Sequence, residues 1–183
     1  MNQLGESSID LRMGTVVMLA RAGAQSHVDP AAYVNRDNTN KHELKRKKQQ
    51  KHERFDIPFT HPFLLHPGTL ALVPTLEWVK IPQDIQAIVT ARSSWAREGL
   101  NIATATIVNP GYCGIITLEL ANFGEIPITL YPGLRLAQMA FYDIATPAKI
   151  TNIKTSQFNG KFEPSAGDIA DGDYCFIPEH QKK

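Results

Sequence analysis

The sequence predicts a mainly β fold of jelly-roll type, and two observations lead to this expectation. Short apolar runs separated by Pro and Gly dominate the chain, whereas the spacing typical of amphipathic helices is scarce. Residues 62–82 read as a strand, a Pro67-Gly68 turn and a second strand, and residues 127–144 repeat this plan around Pro132-Gly133. Such a recurrence indicates an internally similar β architecture, for which a jelly roll is one solution.

The first third of the chain is predicted to contain strands and one long loop. Residues 7–14, SSIDLRMG, read as an opening strand that ends in a glycine turn, and residues 15–34 can hold one or two more strands. Residues 35–54 are polar and rich in lysine. Because no aromatic side chains are interleaved with these charges, we predict a solvated loop there rather than a nucleic-acid site.

One or two short helices are expected, and the clearest is in residues 91–100, ARSSWAREGL, with Ser93 or Ser94 as its cap. Strands resume after this helix and continue to about residue 144. The tail over residues 151–183 is polar and rich in Gly, Asp and Lys, and we predict that it is mobile or orders over a ligand.

Composition excludes several classes of protein. A chain of 183 residues with 43% hydrophobic residues can form one domain with a sizeable core. The formal net charge of +1 gives no overall field that favours nucleic acid or a membrane, and no apolar run approaches the length of a membrane span. The start of the chain does not read as a signal peptide. The two cysteines, Cys113 and Cys175, do not form a close pair, so a reducing, cytoplasmic location is expected.

Zinc chemistry of the nucleobase-deaminase kind is also excluded by the sequence. Those enzymes hold the metal with a His-x-Glu element and a Pro-Cys-x-x-Cys element, and neither is present. His42 and His52 each precede a glutamate directly, which is the wrong spacing. Any deamination by this chain is therefore expected to proceed without zinc.

A lone carboxylate stands in an apolar strand, at Glu119 in ITLEL. Alternation with a period of two places Ile116, Leu118 and Leu120 on one face, and Thr117 and Glu119 on the other. Two interpretations remain open from the pattern. Glu119 is a solvent-facing residue of an antiparallel strand, or it is a general acid/base that faces a pocket.

A second candidate group precedes it, because the predicted helix carries two arginines and two hydroxyls. Ser93 and Arg97 are spaced to share a helical face. With Arg92, Ser94 and the first helical N–H groups they would form a phosphate site, since guanidinium groups and hydroxyls bind phosphate oxygens. The alternative is a capped surface helix with no ligand.

Two further residues have both a functional interpretation and a purely structural one. Asn109 begins an Asn-Pro-Gly-Tyr turn that presents its amide to a sugar or base, or that only joins two strands. Lys161, in FNGKFEP, either binds phosphates when the tail closes over a ligand or is a solvated lysine of the tail.

Taken together, these segments resemble the dCTP deaminases, a family of the dUTPase superfamily. The resemblance implies a distorted jelly roll or β-barrel of the dUTPase-like type over residues 1–150, assembled as a homotrimer with shared active sites. It implies conversion of dCTP and water to dUTP and ammonia, which supplies deoxyuridine nucleotides. The matching stretches, in the order of the family, are 7–14, 64–82, 91–100, 109–122 and 126–144.

The resemblance also assigns roles to individual residues. Glu119 matches the catalytic carboxylate, and Ser93 matches a serine that helps to position the attacking water. Magnesium is expected to arrive with the triphosphate, with no protein metal ligands and no zinc. The residues expected to bind the nucleotide are Arg92, Ser93, Ser94, Arg97, Thr104, Ala105, Asn109, Thr117, Leu118 and Lys161.

Some positions depart from the family pattern. Asn109 stands where the family has Asp, which in dUTPases activates the water that attacks phosphorus. Ile107 replaces an arginine or an aromatic residue, and Phe162 replaces a tail tyrosine. Because an amide cannot act as that base, dUTP is the predicted product. The alternatives are a bifunctional deaminase and diphosphatase that releases dUMP, and an inactive nucleotide-binding trimer.

Overall fold

The structure is a computed structural model, and it describes residues 3–20, 52–102, 106–146, 158–165 and 167. The chain divides into two compact units, Met1–Leu19 with Arg54–Ser165 and Ala20–Glu53 with Ala166–Lys183. Nearly all of the described residues belong to the first unit. Within the described part of the chain, no helix has the length and apolar character needed to cross a bilayer.

The predicted mainly β fold is confirmed. The single helix among the described residues is α1, Ser93–Arg97, inside the segment for which a helix was predicted. The strands are β1 Ser8–Arg12, β2 Val16–Ala20, β3 His52–Asp56, β4 Phe63–Leu65, β5 Leu70–Lys80, β6 Ile85–Ala91, β7 Leu100–Ile102, β8 Ile107–Val108, β9 Cys113–Asn122, β10 Ile128–Leu130 and β11 Arg135–Asp143.

These strands form three sheets. A four-stranded sheet has the order β1-β11-β6-β8, a five-stranded sheet has the order β3-β2-β5-β9-β7, and β10 pairs with β4. The described sheets are open rather than closed into one barrel. All three contribute to one core, which includes Leu11, Leu65, Val73, Leu118 and Leu136. Burial of each such side chain stabilises the fold by about 1.5–3 kcal/mol, so the shared core holds the sheets together as in a jelly roll.

The two Pro-Gly turns have the geometry that the sequence predicts. Gly68 and Gly133 have φ values of 70° and 92°, which residues with a side chain rarely adopt. Each turn is closed by a backbone hydrogen bond across it, from Thr69 N to the His66 oxygen at 3.2 Å and from Leu134 N to the Tyr131 oxygen at 3.1 Å. The strands that lead into the turns, β4 and β10, pair with each other, so the two similar segments lie side by side.

The predicted loop over residues 35–54 is too long at its C-terminal end. His52, Glu53 and Arg54 belong to β3, at the edge of the five-stranded sheet. Phe55, the next residue of β3, packs against the core and contacts the Phe63 ring at a centroid distance of 6.5 Å. Burial of this ring favours an extended conformation for its neighbours. The rest of the predicted loop, residues 35–51, lies outside the described residues.

Candidate active site

The segment that carries Arg92 leaves the four-stranded sheet and turns at once into α1. Arg92 is the N-cap of α1, with φ −67° and ψ 137°, and no side chain caps the helix. The prediction that Ser93 or Ser94 is the cap is therefore wrong. The Arg92 amide donates to the Leu136 oxygen of β11 at 3.0 Å, so the strand geometry persists through Arg92 and both serines fall inside the helix.

Arg92 belongs to a cluster of two arginines around one carboxylate. Asp10, from β1, forms an ion pair with Arg92 Nε at 3.2 Å through one oxygen and accepts a hydrogen bond from Arg135 Nη1 at 3.1 Å with the other. The indole N–H of Trp95 donates to the Arg135 backbone oxygen at 3.0 Å. These contacts fix α1 and the Arg92 guanidinium against strands β1 and β11.

The other predicted phosphate ligands of this segment face solvent. Ser93, Ser94 and Arg97 are exposed, and their side chains make no hydrogen bond or ion pair with other described residues. Their donors are therefore available to an anionic ligand. This arrangement fits the predicted phosphate site and fits an exposed helix equally well.

Glu119 lies in β9, the strand next to the middle of the five-stranded sheet, where it is directly opposite Leu72 of β5. The predicted alternation is confirmed, because Leu118 and Leu120 are buried while Glu119 is half-buried. On the face that carries Glu119, Ile115 and Ala121 are also buried. Glu119 is therefore not on an open solvent face, which favours the pocket interpretation.

Two of the four residues expected to border the base, Thr117 and Leu118, are among the described residues. Thr117 is half-buried on the same face of β9 as Glu119, and Leu118 points into the core on the opposite face. A direct side-chain contact of Leu118 with a ligand on the Glu119 face is thus excluded in this conformation, which leaves its backbone. Thr104 and Ala105 lie outside the described residues.

A pocket of about 250 Å³ opens between α1, the end of β6 and β7. Strand β7 pairs with β9 and places Ile102 opposite Leu120, next to Glu119. Glu119, Arg92, Ser93, Ser94 and Arg97 do not line the pocket themselves, although Ala96 of α1 does. Its lining is mostly small or apolar, namely Thr90, Ala91, Ala96, Gly99, Leu100, Asn101, Ile102, Thr106 and Phe123.

Asn109 begins a tight turn at the start of β9, as predicted. The Tyr112 amide donates to the Asn109 oxygen at 3.1 Å, and Gly111 has a φ of 75°. The Asn109 side chain is exposed. The Tyr112 hydroxyl donates to the Ile115 oxygen, and burial raises the pKa of this hydroxyl, so it remains a donor at neutral pH.

The described tail segment, residues 158–165, docks on the first residues of β9. Gly160 N donates to the Cys113 oxygen at 2.6 Å, and Ile115 N donates to the Lys161 oxygen at 3.2 Å. The Lys161 side chain is exposed. Its backbone lies beside Ile115, four residues from Glu119, which corresponds to about 13 Å along a strand. Lys161 and the Asn109 turn therefore meet at the same end of β9.

Two side-chain contacts hold this tail segment in place. The Phe162 ring stacks on Trp78 of β5 with a centroid distance of 6.5 Å. Glu163 pairs with Arg54 of β3 at 2.7 Å. The Arg54 guanidinium holds the pKa of the Glu163 carboxyl below its ordinary value, so this pair is present at neutral pH and is lost as the pH falls through that lowered pKa. Both side chains are exposed, and the pair is correspondingly weak.

The candidate residues thus form two groups on different sheets. Arg92, α1 and the Asp10 cluster belong to the four-stranded sheet, and Glu119 belongs to the five-stranded sheet. The sequence interpretation missed Asp10 and Arg135. A signal was present, because Asp10 alternates with apolar neighbours in SSIDLRMG in the same way as Glu119 does in ITLEL.

A sequence profile described as dCTP deaminase-like matches residues 1–144. The chain belongs to the dCTP deaminase-like family. A protein of Dictyoglomus turgidum named dCTP deaminase, dUMP-forming, is 36% identical over 176 residues, which are 94% of this chain and 84% of that protein. A protein of Methanobrevibacter smithii with the same name is 36% identical over 149 residues, which are 81% of this chain and 71% of that protein.

A solved structure supports the fold. The 2'-deoxycytidine 5'-triphosphate deaminase from Agrobacterium tumefaciens superposes with a TM-score of 0.55 at 24% sequence identity. The match covers 76% of this chain and 39% of that chain. At this level of identity the likeness concerns the fold alone.

Among the described residues, no group of three or more His, Cys, Asp or Glu side chains is placed to hold a metal ion.

Proposed function

We propose that this protein hydrolyses the exocyclic amino group of dCTP, with Glu119 as the general acid/base. The observation that carries the proposal is the position of Glu119, half-buried on a strand face on which Ile115 and Ala121 are buried as well. Membership of the dCTP deaminase-like family and the names of the relatives support the same substrate.

One carboxylate is sufficient for the proton transfers of this reaction. The Glu119 carboxylate accepts a proton from water as the oxygen attacks C4 of the cytosine ring, and it delivers a proton to the ring nitrogen. The tetrahedral intermediate collapses when Glu119 transfers the remaining proton of the new C4 hydroxyl to the amino nitrogen, so that the C4–N bond breaks, the C4 carbonyl forms and ammonia leaves. The Ser93 hydroxyl positions the water and stabilises the developing charge by hydrogen bonding.

The phosphate-binding side chains have a separate task. Arg92, Ser93, Ser94 and Arg97 supply charged and neutral donors for the triphosphate, and Lys161 supplies another from the tail. Asn109 binds the sugar at the start of β9, and Thr117, the Leu118 backbone, Thr104 and Ala105 border the base. Magnesium accompanies the triphosphate rather than a protein cage. Binding of the phosphates fixes the ring against Glu119 and lowers the entropic part of the barrier.

Two candidate products follow from different observations. The amide of Asn109 cannot accept a proton from water at neutral pH, which favours release of dUTP. The relatives at 36% identity are named dUMP-forming, which favours a second step that hydrolyses the phosphoanhydride. A single assay that reads ammonia, dUTP, dUMP and pyrophosphate separately distinguishes these candidates. Turnover of dCTP without ammonia release would contradict the proposal altogether.

We expect deamination to require magnesium and to be insensitive to zinc chelators. The chain has no zinc-deaminase ligand set, and a triphosphate normally binds as its magnesium complex. The measurement is ammonia release from dCTP with magnesium, with EDTA, and with a zinc-selective chelator in excess magnesium. Activity that the zinc-selective chelator abolishes and added zinc restores would show that a metal site has been missed.

We expect the active protein to be a homotrimer with sites shared between neighbours. This expectation rests on the resemblance to the family, and the location of Arg92 and Glu119 on different sheets is compatible with it. The measurement is the mass by light scattering at concentrations used in the assay. In a second measurement, inactive Arg97→Ala and Glu119→Gln subunits are mixed. Activity is restored only if a single site takes Arg97 and Glu119 from different chains. A fully active monomer would contradict shared sites.

A further inference from the structure

The Asp10 cluster, which consists of Asp10, Arg92 and Arg135, has two positive charges and one negative charge. The Asp10 carboxylate bridges the Arg92 and Arg135 guanidinium groups, at 3.2 Å and 3.1 Å. The Asp10 side chain is only 16% exposed, whereas Arg92 and Arg135 are 31% and 36% exposed. One negative charge therefore lies beneath two positive charges that reach solvent.

The neighbouring charges do not remove this excess. Arg12 is the next cation, and Glu77 binds its side-chain Nε at 2.6 Å and its backbone N at 2.8 Å. Gln3 donates to Glu77 as well, at 2.7 Å. Arg12 and Glu77 therefore pair with each other, and within the part of the chain that the structure describes, the second positive charge of the Asp10 cluster has no carboxylate of its own.

The hydrogen-bond inventory gives the same result. A guanidinium group has five N–H donors. Among the contacts of the described residues, Arg92 uses its Nε toward Asp10 and its Nη1 in a long contact of 3.5 Å to the Arg135 oxygen. The Arg135 side chain uses Nη1 toward Asp10. Both side chains thus retain donors, and the shared carboxylate holds them at fixed positions.

We propose that Asp10 is a positioning residue for the phosphate site and that Arg135 is a second anion-binding side chain there. This proposal rests on the function proposed above. Asp10 holds the two guanidinium groups side by side against their mutual repulsion, so that their remaining donors face one polyphosphate. Fixing both arginines before the ligand arrives lowers the entropic cost of binding. The ligand class is a polyphosphate chain, with or without its nucleoside.

Two variants test this proposal against a matched control. Asp10→Asn keeps the size of the side chain and removes the charge, and Arg135→Met removes the guanidinium while its backbone oxygen still accepts from Trp95. Glu77→Gln removes a carboxylate of equal exposure, 16%, that holds Arg12 rather than Arg92. The readouts are the Kd for inorganic triphosphate by calorimetry, KM and kcat for dCTP, and the melting temperature.

For Asp10→Asn and Arg135→Met we expect the Kd for triphosphate and the KM for dCTP to rise about tenfold, with kcat nearly unchanged, as for a loss of uniform binding. Glu77→Gln should change neither constant, even where it lowers the melting temperature. If Asp10→Asn does not fold, Arg135→Met decides alone.

Several results would overturn the proposal. Unchanged or tighter triphosphate binding by the two variants would show that the removed charges do not position the ligand, and failure of the unmodified protein to bind triphosphate would show that there is no such site. A protein that binds triphosphate but does not deaminate dCTP refutes the proposed function and leaves the role of Asp10 to be decided by the Kd values.

Discussion

Replacement of Glu119 by Gln is expected to lower kcat for dCTP deamination by about 10²–10⁴-fold, the usual contribution of a general acid/base. Gln has the same shape and retains hydrogen-bonding capacity, but it cannot take a proton from water. Because Glu119 is half-buried on β9 and the core on the opposite face is untouched, the fold should persist. The measurements are ammonia release at saturating dCTP, circular dichroism and the melting temperature.

A matched control separates the chemistry from a general effect of the amide. Glu125 is exposed in the segment that follows β9, and Glu125→Gln makes the same chemical change there. It should leave kcat and KM unchanged. For Glu119→Gln the Kd for dCTP should remain within a few-fold of its original value, since the triphosphate contacts are retained. Near-normal turnover by a folded Glu119→Gln protein would refute the assignment of the acid/base.

The parts of the fold that were predicted correctly are those encoded by neighbouring residues. The period of two in β9 identified the face that Glu119 shares with Thr117. The Pro-Gly pairs identified two turns, because a residue after Pro with positive φ is a local requirement that Gly satisfies. In each case the deciding interaction spans only a few residues.

The features that were missed depend on pairing between distant strands. Asp10 contacts Arg135, 125 residues later, because β1 pairs with β11. Alternation indicates that Asp10 faces away from the core but does not indicate which strand lies beside it. The cap of α1 was missed for the same reason, since the bond from Arg92 to Leu136 of β11 sets where the helix begins.

The docking of the tail segment could not be predicted from the local sequence pattern either. The FNGKFEP segment has no strand pattern, yet its backbone bonds to the edge of β9 at Cys113 and Ile115. Because β7 pairs only with the last residues of β9, the first residues of β9 have an unpaired edge, and the sequence does not say which segment will bond to it. The prediction that Lys161 contacts phosphates therefore remains a prediction, although its position beside the Asn109 turn is compatible with it.

The unmodified protein is expected to release dUTP, and Asn109→Asp is expected to make dUMP and pyrophosphate detectable. The Asn109 amide hydrogen-bonds a sugar hydroxyl but cannot activate water, whereas a carboxylate at the same exposed position can do both. KM for dCTP should change little, because sugar binding is retained. The measurement is chromatographic separation of dUTP, dUMP and pyrophosphate during a complete time course.

A control for added charge is Gln83→Glu, an exposed residue in the turn before β6, which should leave the product unchanged. The opposite result, formation of dUMP by the unmodified protein, would agree with the names of the relatives, which are dUMP-forming. If the unmodified protein already forms dUMP, a group other than residue 109 must activate the water at phosphorus, because Asn has no proton-accepting form near neutral pH. In that case Asn109→Asp should change the rate of the second step but not the product, and the chain would be a bifunctional deaminase and diphosphatase.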